Sequence, residues 1–200
     1  LGHIKSTSAK DYFRYSTYLN KVCSEELLTQ YIKSKSKILL NKKKLIICDL
    51  DNTLWKGILG DDFKSGIKMD PSDPIGKIFY SVQKLLLGLK YRGFLLAICS
   101  KNEENNALDA LFCSTSSVFK KEDIVTYRIN WNTKSDNVKS ICNELGLSFK
   151  ETIFIDDNEY ECDEIKRNCE GISIFKVPKD IYEFPYLIKS SALFEVNTVT

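Results

Sequence analysis

From Lys44 onward the chain alternates short apolar runs with amphipathic stretches. The runs are Leu45 to Cys48, Phe94 to Cys99, Thr152 to Ile155 and Ile172 to Phe175, each of the length and continuity expected of a strand buried on both faces. Between the first two, Asp73 and Pro74 offer an N-cap and N1 pair. Ile75, Ile78, Phe79, Val82, Leu85, Leu86 and Leu89 then recur at helical spacing before Gly93. Asn102 can cap a second helix reaching Phe112. Val138, Ile141, Cys142 and Leu145 stripe a third that Gly146 would stop, and Cys162, Ile165 and Cys169 stripe a fourth. The order β-α-β-α-α-β-α-β predicts an α/β fold, a three-layer doubly wound parallel sheet that binds its ligands beyond the carboxyl ends of the strands. Upstream, Ser24 can cap a helix with Leu27, Leu28, Tyr31 and Ile32 on one side. The expected organisation is therefore a small N-terminal helical segment, 1–42, and a main domain, 43–200.

Composition narrows the chemistry. A chain of 200 residues, 43% hydrophobic and 28% charged, can build one globular core without staples. Its seven cysteines are odd in number and form no C-x-x-C pair, which argues against a disulfide framework or a zinc ribbon and for a reducing, cytoplasmic setting. With one histidine, His3, histidine metal centres and histidine-dependent triads are set aside. Whatever chemistry occurs uses carboxylates, lysine or thiols. The apolar runs are too short to span a bilayer and no apolar leader opens the chain, so neither membrane insertion nor secretion is expected. The chain begins at Leu1 and has Met69 as its only methionine, which suggests a domain of a larger polypeptide. The formal charge of +2 argues neither for nor against a nucleic-acid surface, and no nucleic-acid partner is expected. Lys33, Lys35, Lys37, Lys42, Lys43 and Lys44 concentrate positive charge, either as a solvated face or as a dock for an acidic partner or anionic ligand.

The strand ends carry the informative residues. The first apolar run leads into Asp49-Leu50-Asp51-Asn52-Thr53-Leu54-Trp55, and the alternation of an extended chain sends Asp49 and Asp51 to the same side. The run from Thr152 ends in Asp156-Asp157-Asn158, a second acidic pair at the same edge. Such carboxylates repel unless a hard divalent cation such as Mg²⁺ keeps them ionised. Ser100-Lys101-Asn102 opens a helix after the second run, where backbone N–H groups and a hydroxyl can hold a phosphate oxygen. Asn130-Trp131-Asn132-Thr133-Lys134 brings an ammonium group to the same edge. Acid pair, hydroxyl, lysine and acid pair together are the parts of metal-assisted phosphoryl transfer. Response-regulator receivers use a similar kit in a different order.

In this order the sequence resembles the haloacid-dehalogenase superfamily of aspartate-nucleophile phosphotransferases. The resemblance implies Asp49 as nucleophile, Asp51 as general acid/base and Thr53 as a local hydrogen-bond partner. Ser100 and Lys134 would bind the transferring phosphoryl group, with Lys101 and Asn102 beside it and Trp55 and Trp131 shaping the pocket. Mg²⁺ would lie on Asp49, the backbone carbonyl of Asp51 and Asp157, with Asp156 just behind them. Five stretches look more narrowly like the FkbH-like family: Asp49 to Trp55, Gly57 to Gly60, Leu95 to Asn102, Ile129 to Trp131 with Lys134, and Phe154 to Asn158 followed by Glu161. Members of that family load polyketide and related assembly lines. The resemblance implies that a glyceryl unit passes from 1,3-bisphosphoglycerate, with loss of phosphate, to the phosphopantetheine thiol of an acyl carrier protein within a larger synthase.

The chain departs from that family at Lys56, where a second Gly is usual, at Cys162, where an Arg is usual, and at Cys113 to Ser117. If the acyl group rests on the enzyme, Cys99 matches a residue common in relatives, although alternation points it away from Ser100. Cys48 meets the same objection beside Asp49, and Cys142 and Cys162 read as core. Two other readings remain: a plain Mg²⁺-dependent phosphatase of a small ester or phosphoprotein, and an inactive carrier-docking module.

Overall fold

The computed structural model describes residues 25, 27–29, 31, 43–60 and 66–195. The chain divides into two compact units, Leu1–Asn41 and Lys42–Thr200. In the first, positions 25, 27–29 and 31 are helical, and Leu27, Leu28 and Tyr31 are exposed. Ser24, Ile32, His3, Cys23 and the lysines at 33, 35, 37 and 42 lie outside the described residues. No helix among the described residues is long and apolar enough to cross a membrane.

The second unit is built on five parallel strands: β1 Leu45–Cys48, β2 Leu95–Ser100, β3 Thr126–Ile129, β4 Thr152–Asp156 and β5 Ser173–Lys176, in the order β3-β2-β1-β4-β5. Helices α1 Gly76–Tyr91, α2 Glu104–Phe112, α3 Lys134–Leu145, α4 Glu159–Asn168 and α5 Phe184–Ser190 complete it. The predicted doubly wound layout is observed, with one strand more than the apolar runs announce. β3 sits at the sheet edge, is four residues long and carries Arg128, which pairs with Glu144 at 2.6 Å. A short edge strand with a charged side chain lacks the apolar continuity of its buried neighbours.

Alternation along β1 divides the core. Ile46 and Cys48 join one cluster with Val82, Leu86 and Leu89 of α1, Ala107 and Leu111 of α2, and Phe184 and Ile188 of α5. Leu45 and Ile47 join the other with Val138 and Ile141 of α3 and Ile165 of α4. The chain winds from β1 outward through β2 to β3 with helices on one face. It then crosses to β4 and winds through β5 with helices on the other. The reversal falls between β1 and β4, the neighbours that pair Cys48 with Ile155, and at such a switch point a crevice opens beyond the strand ends.

Several helix ends match the sequence signals. The N-cap position of α1 falls to Ile75, two residues after the expected Asp73, yet Asp73 Oδ1 accepts the N–H groups of Ile75 and Gly76 at 2.9 and 2.8 Å. Thr133 caps α3, and Gly146 ends it with φ 63°, a left-handed conformation that favours glycine. Gly76 is required by a close approach, since a Cβ there would meet Asp70 N at 2.8 Å and the Asp70 carbonyl oxygen closer still. Asn102 is the exception: Glu103 occupies the N-cap position of α2, because the Asn102 amide is drawn into the strand-end cluster.

One buried polar residue ties the loops on this side together. Gln83 of α1 is fully buried. Its amide nitrogen donates to Leu54 O at 2.8 Å and its amide oxygen accepts from Val118 N at 2.9 Å. Gln83→Leu removes both partners at once, so the variant should be destabilised by about 2–4 kcal/mol, the cost of orphaning two buried backbone groups. The midpoint of denaturant unfolding checks this, and an unchanged midpoint would mean that water replaces the amide.

Candidate active site

Asp49 follows β1 and its backbone N–H donates to Ile155 O at 2.9 Å, which holds it level with the end of β4. Its Oδ1 accepts the Ser100 hydroxyl at 2.6 Å and lies 3.1 Å from Lys134 Nζ. Lys134 also pairs with Asp156 Oδ2 at 2.5 Å. The N-cap Thr133 and the first turn of α3 thus deliver one nearly buried ammonium group between the carboxylates of two neighbouring strands. Burial works to neutralise that lysine, but Asp49 and Asp156 together outweigh it and hold its pKa above the ordinary value.

Asp49, Asp156 and Asp157 each offer a carboxylate oxygen, and the three oxygens lie within 4.8 Å of one another. Their donors differ. Asp156 is fully buried, with Oδ2 on Lys134 and Oδ1 accepting Asn158 N at 2.8 Å. Asp157 is half-buried and takes up no other side chain among the described residues. Burial first, and repulsion from Asp49 second, raise Asp156 to about 7 and raise Asp157 as well. An all-oxygen cluster whose acids resist ionisation is one that a hard divalent cation would relax.

The side chain of Asp51 stands apart from that trio. Its Oδ1 accepts Trp55 Nε1 at 2.8 Å and Leu59 N at 3.1 Å, and its Oδ2 accepts Asn102 Nδ2 at 3.0 Å. Burial raises its pKa against these donors. The loop behind it is closed by Asn52, which takes φ 52°, donates its N–H to Gly57 O and accepts Gly57 N on its side chain. An asparagine tolerates that left-handed backbone where most side chains would not.

Four sequence expectations change. Trp55 is fully buried and holds Asp51 from beneath, so it cannot line a pocket; Trp131, the other tryptophan of this edge, is 74% exposed. Thr53 is buried and its hydroxyl has no hydrogen-bond partner, in place of the local bond expected of it. Lys101 places its ammonium on Glu161 at 2.7 Å, bracing the end of β2 against the first turn of α4 rather than standing free for substrate. Glu161 follows Asn158 by three residues, a capping-box spacing in the sequence, yet its carboxylate goes to Lys101. Asn102, expected as a cap, bridges Asp51 and the Ser100 hydroxyl, the latter at 3.1 Å.

Cys99 is fully buried on the opposite face from Ser100, with its thiol toward Lys134 O at 3.8 Å. Burial raises its pKa, as it does for Cys48. A neutral, enclosed thiol is no acyl acceptor, so the thioester role considered for Cys99 is withdrawn. Among the described cysteines Cys113 alone is exposed. Iodoacetamide treatment of the native protein should alkylate Cys113 and spare Cys48, Cys99, Cys142, Cys162 and Cys169 by peptide mass mapping. Rapid labelling of Cys99 would reopen the thioester role.

No family model matches the chain, and no curated protein matches it. Among solved structures, the chain is similar to the N-terminal part of the protein BF1531 from Bacteroides fragilis, which contains a phosphatase domain and was crystallised with Mg. Identity is 30% and the TM-score 0.78, over 98% of this chain and 52% of that one, so the chain spans about half the length of that relative. A HAD-like family hydrolase of Porphyromonas gingivalis follows at 15% identity and TM-score 0.49, over 74% and 97% of the two chains. A HAD-family enzyme of Bacteroides thetaiotaomicron, bt-2542, in complex with magnesium and inorganic phosphate, aligns at 16% identity and TM-score 0.46, over 67% and 93%. Strand order, crossover and likeness to the first of these agree: the chain is an α/β domain of the haloacid-dehalogenase fold.

Proposed function

We propose that this domain is a Mg²⁺-dependent phosphotransferase in which Asp49 is the nucleophile, and that it serves to load a glyceryl unit onto a carrier protein. The observation that carries the phosphoryl-transfer part is the triad at the switch point. Asp49 is held by Ser100 and Lys134 at 2.6 and 3.1 Å and faces Asp157 and Asp156 across a gap sized for one cation. The oxygen-only donor set fits Mg²⁺, with Asp49, Asp157 and the backbone carbonyl of Asp51 as ligands. Bound there, the ion would neutralise charge on the transferring phosphoryl oxygens. The Mg complex of the Bacteroides fragilis relative supports this choice of metal.

The remaining steps belong to the side chains. Asp49 attacks phosphorus while the bond to the leaving oxygen breaks, and the Asp51 carboxyl, kept protonated to higher pH by burial, gives that oxygen its proton. Lys134 and the Ser100 hydroxyl hold the phosphoryl oxygens. Asp51, now ionised, takes a proton from water, which attacks phosphorus, breaks the aspartyl-phosphate bond and frees Asp49 and inorganic phosphate. Asn102, Trp55 and the Leu59 N–H orient Asp51 for both proton transfers.

The glyceryl and carrier part rests on the five sequence stretches shared with the FkbH-like family. Its substrate, 1,3-bisphosphoglycerate, carries an acyl phosphate activated for attack by a thiolate and a phosphate ester suited to Asp49. Because no described cysteine near the site is accessible, the acyl group would pass directly to the phosphopantetheine sulfur. That sulfur would form the thioester as the acyl phosphate leaves as inorganic phosphate. Intact mass of a phosphopantetheinylated carrier, incubated with the domain, Mg²⁺ and 1,3-bisphosphoglycerate generated in situ, should show a glyceryl adduct. Phosphate release with an unmodified carrier would indicate a plain phosphatase instead. Absence of both would overturn the enzymatic reading and leave the inactive docking module.

A further inference from the structure

The face of α1 turned away from the sheet lies beside α5, and between them run two adjoining hollows of about 260 and 470 Å³ that share Lys84, Leu85 and Lys189. Their floor is apolar, formed by Ile78, Leu85 and Leu89 of α1 with Ile188 of α5 and Phe194 after it. Lys77, Ser81, Lys84, Gly88 and Arg92 recur at i, i+4, i+7, i+11 and i+15, one straight stripe along α1. Small residues at two of those positions keep the hollows open, and at Gly88 an added Cβ would meet nothing within 4 Å. At 1.5 Å per residue the stripe is about 22 Å long.

The rim is cationic. Lys77, Lys84, Arg92 and Lys189 line it, and Glu195 is the single carboxylate among the lining residues. Among the described residues no carboxylate forms an ion pair with any of the four; Lys84 only lies over the Tyr80 ring, 5.7 Å from its centre.

From this geometry we infer that the α1–α5 groove is a docking surface for an acidic amphipathic helix of a partner protein. The length matches about four helical turns, half-buried Leu85 with the buried Ile78, Leu89, Ile188 and Phe194 beneath it gives a shallow apolar floor, and the exposed cations of the rim suit flanking carboxylates. An extended peptide has no strand edge here to join. The inference does not depend on the chemistry proposed above, because none of these residues belongs to the acid cluster.

The test uses a fluorescein-labelled helical peptide about four turns long, with a leucine stripe flanked by glutamates, and a scrambled peptide of the same composition. Anisotropy should show binding of the patterned peptide only, weakening about ten-fold between 50 and 300 mM salt. Combined Lys84→Glu and Lys189→Glu changes should weaken binding at least about ten-fold. Gly88→Trp should do the same by filling the groove, while circular dichroism and phosphate release from a small acyl phosphate stay as in the unmodified protein. Equal binding of the scrambled peptide, binding indifferent to Gly88→Trp, or no binding at all would overturn the inference. So would sedimentation showing a dimer that Gly88→Trp dissociates, since the occupant would then be a second copy. Loss of phosphate release in the unmodified protein would count against the proposed enzyme and leave the groove untouched.

Discussion

Asp49→Asn is expected to abolish phosphate release, by at least about 10³-fold in kcat, while leaving the protein folded. The amide retains an oxygen for the Ser100 hydroxyl and for Lys134, so the local hydrogen bonds at 2.6 and 3.1 Å keep an acceptor. The charge that repels Asp156 and Asp157 is removed, and Lys134 still has Asp156 as its partner. The loss should therefore fall on chemistry and not on stability. Phosphate release from an acyl phosphate, set beside thermal unfolding of the same samples, separates the two. Retention of more than about a tenth of the activity would remove Asp49 from the nucleophile's role.

Lys134→Met should cost both. The lysine is 4% exposed and compensates two buried carboxylates; removing one partner of a buried ionic cluster typically costs about 3–5 kcal/mol. The penalty has a defined pH dependence. The folded Asp156, raised to about 7, holds a proton that the unfolded chain, with an ordinary carboxyl near 3.9, has already released. Between about pH 4 and 7 the folded state thus binds more protons than the unfolded one, and stability falls as pH rises. Without Lys134 the folded-state pKa climbs further, so the decline extends upward and the variant is relatively most stable in mild acid. Mg²⁺ should restore part of the loss at pH 8, because it replaces the missing positive charge. Denaturant midpoints at pH 5 and 8, with and without Mg²⁺, test this. A variant as stable as the parent at pH 8 without metal would show that water already screens the cluster.

Different residues were legible to different degrees. The β1, β2, β4 and β5 runs, the α1 and α3 stripes and the Gly146 stop could be read because burial on both faces and helical periodicity leave a one-dimensional trace. The edge strand β3 could not, since its half-exposed Tyr127 and Arg128 break the apolar run. The acidic pairs Asp49/Asp51 and Asp156/Asp157 could be read from their position after apolar runs. Their separate roles were implied only by the family resemblance, and their partners could not be read: Asp49, Asp156 and Asp157 converge, while the Asp51 side chain is taken up by Trp55, Leu59 and Asn102.

The amino-acid sequence by itself determined the strand and helix periods, the doubly wound order and the identity of the acids, the serine and the lysine that meet at the sheet edge. These are consequences of local alternation and of residue type. Only the tertiary structure decided which groups share a hydrogen bond. It buried Trp55 under Asp51, paired Lys101 with Glu161, closed Cys99 inside the core and left Thr53 without a partner. It also opened the basic groove beside α1. The Lys101–Glu161 pair and the enclosure of Cys99 beside Lys134 join segments tens of residues apart, and such distances are set by packing and leave no local pattern.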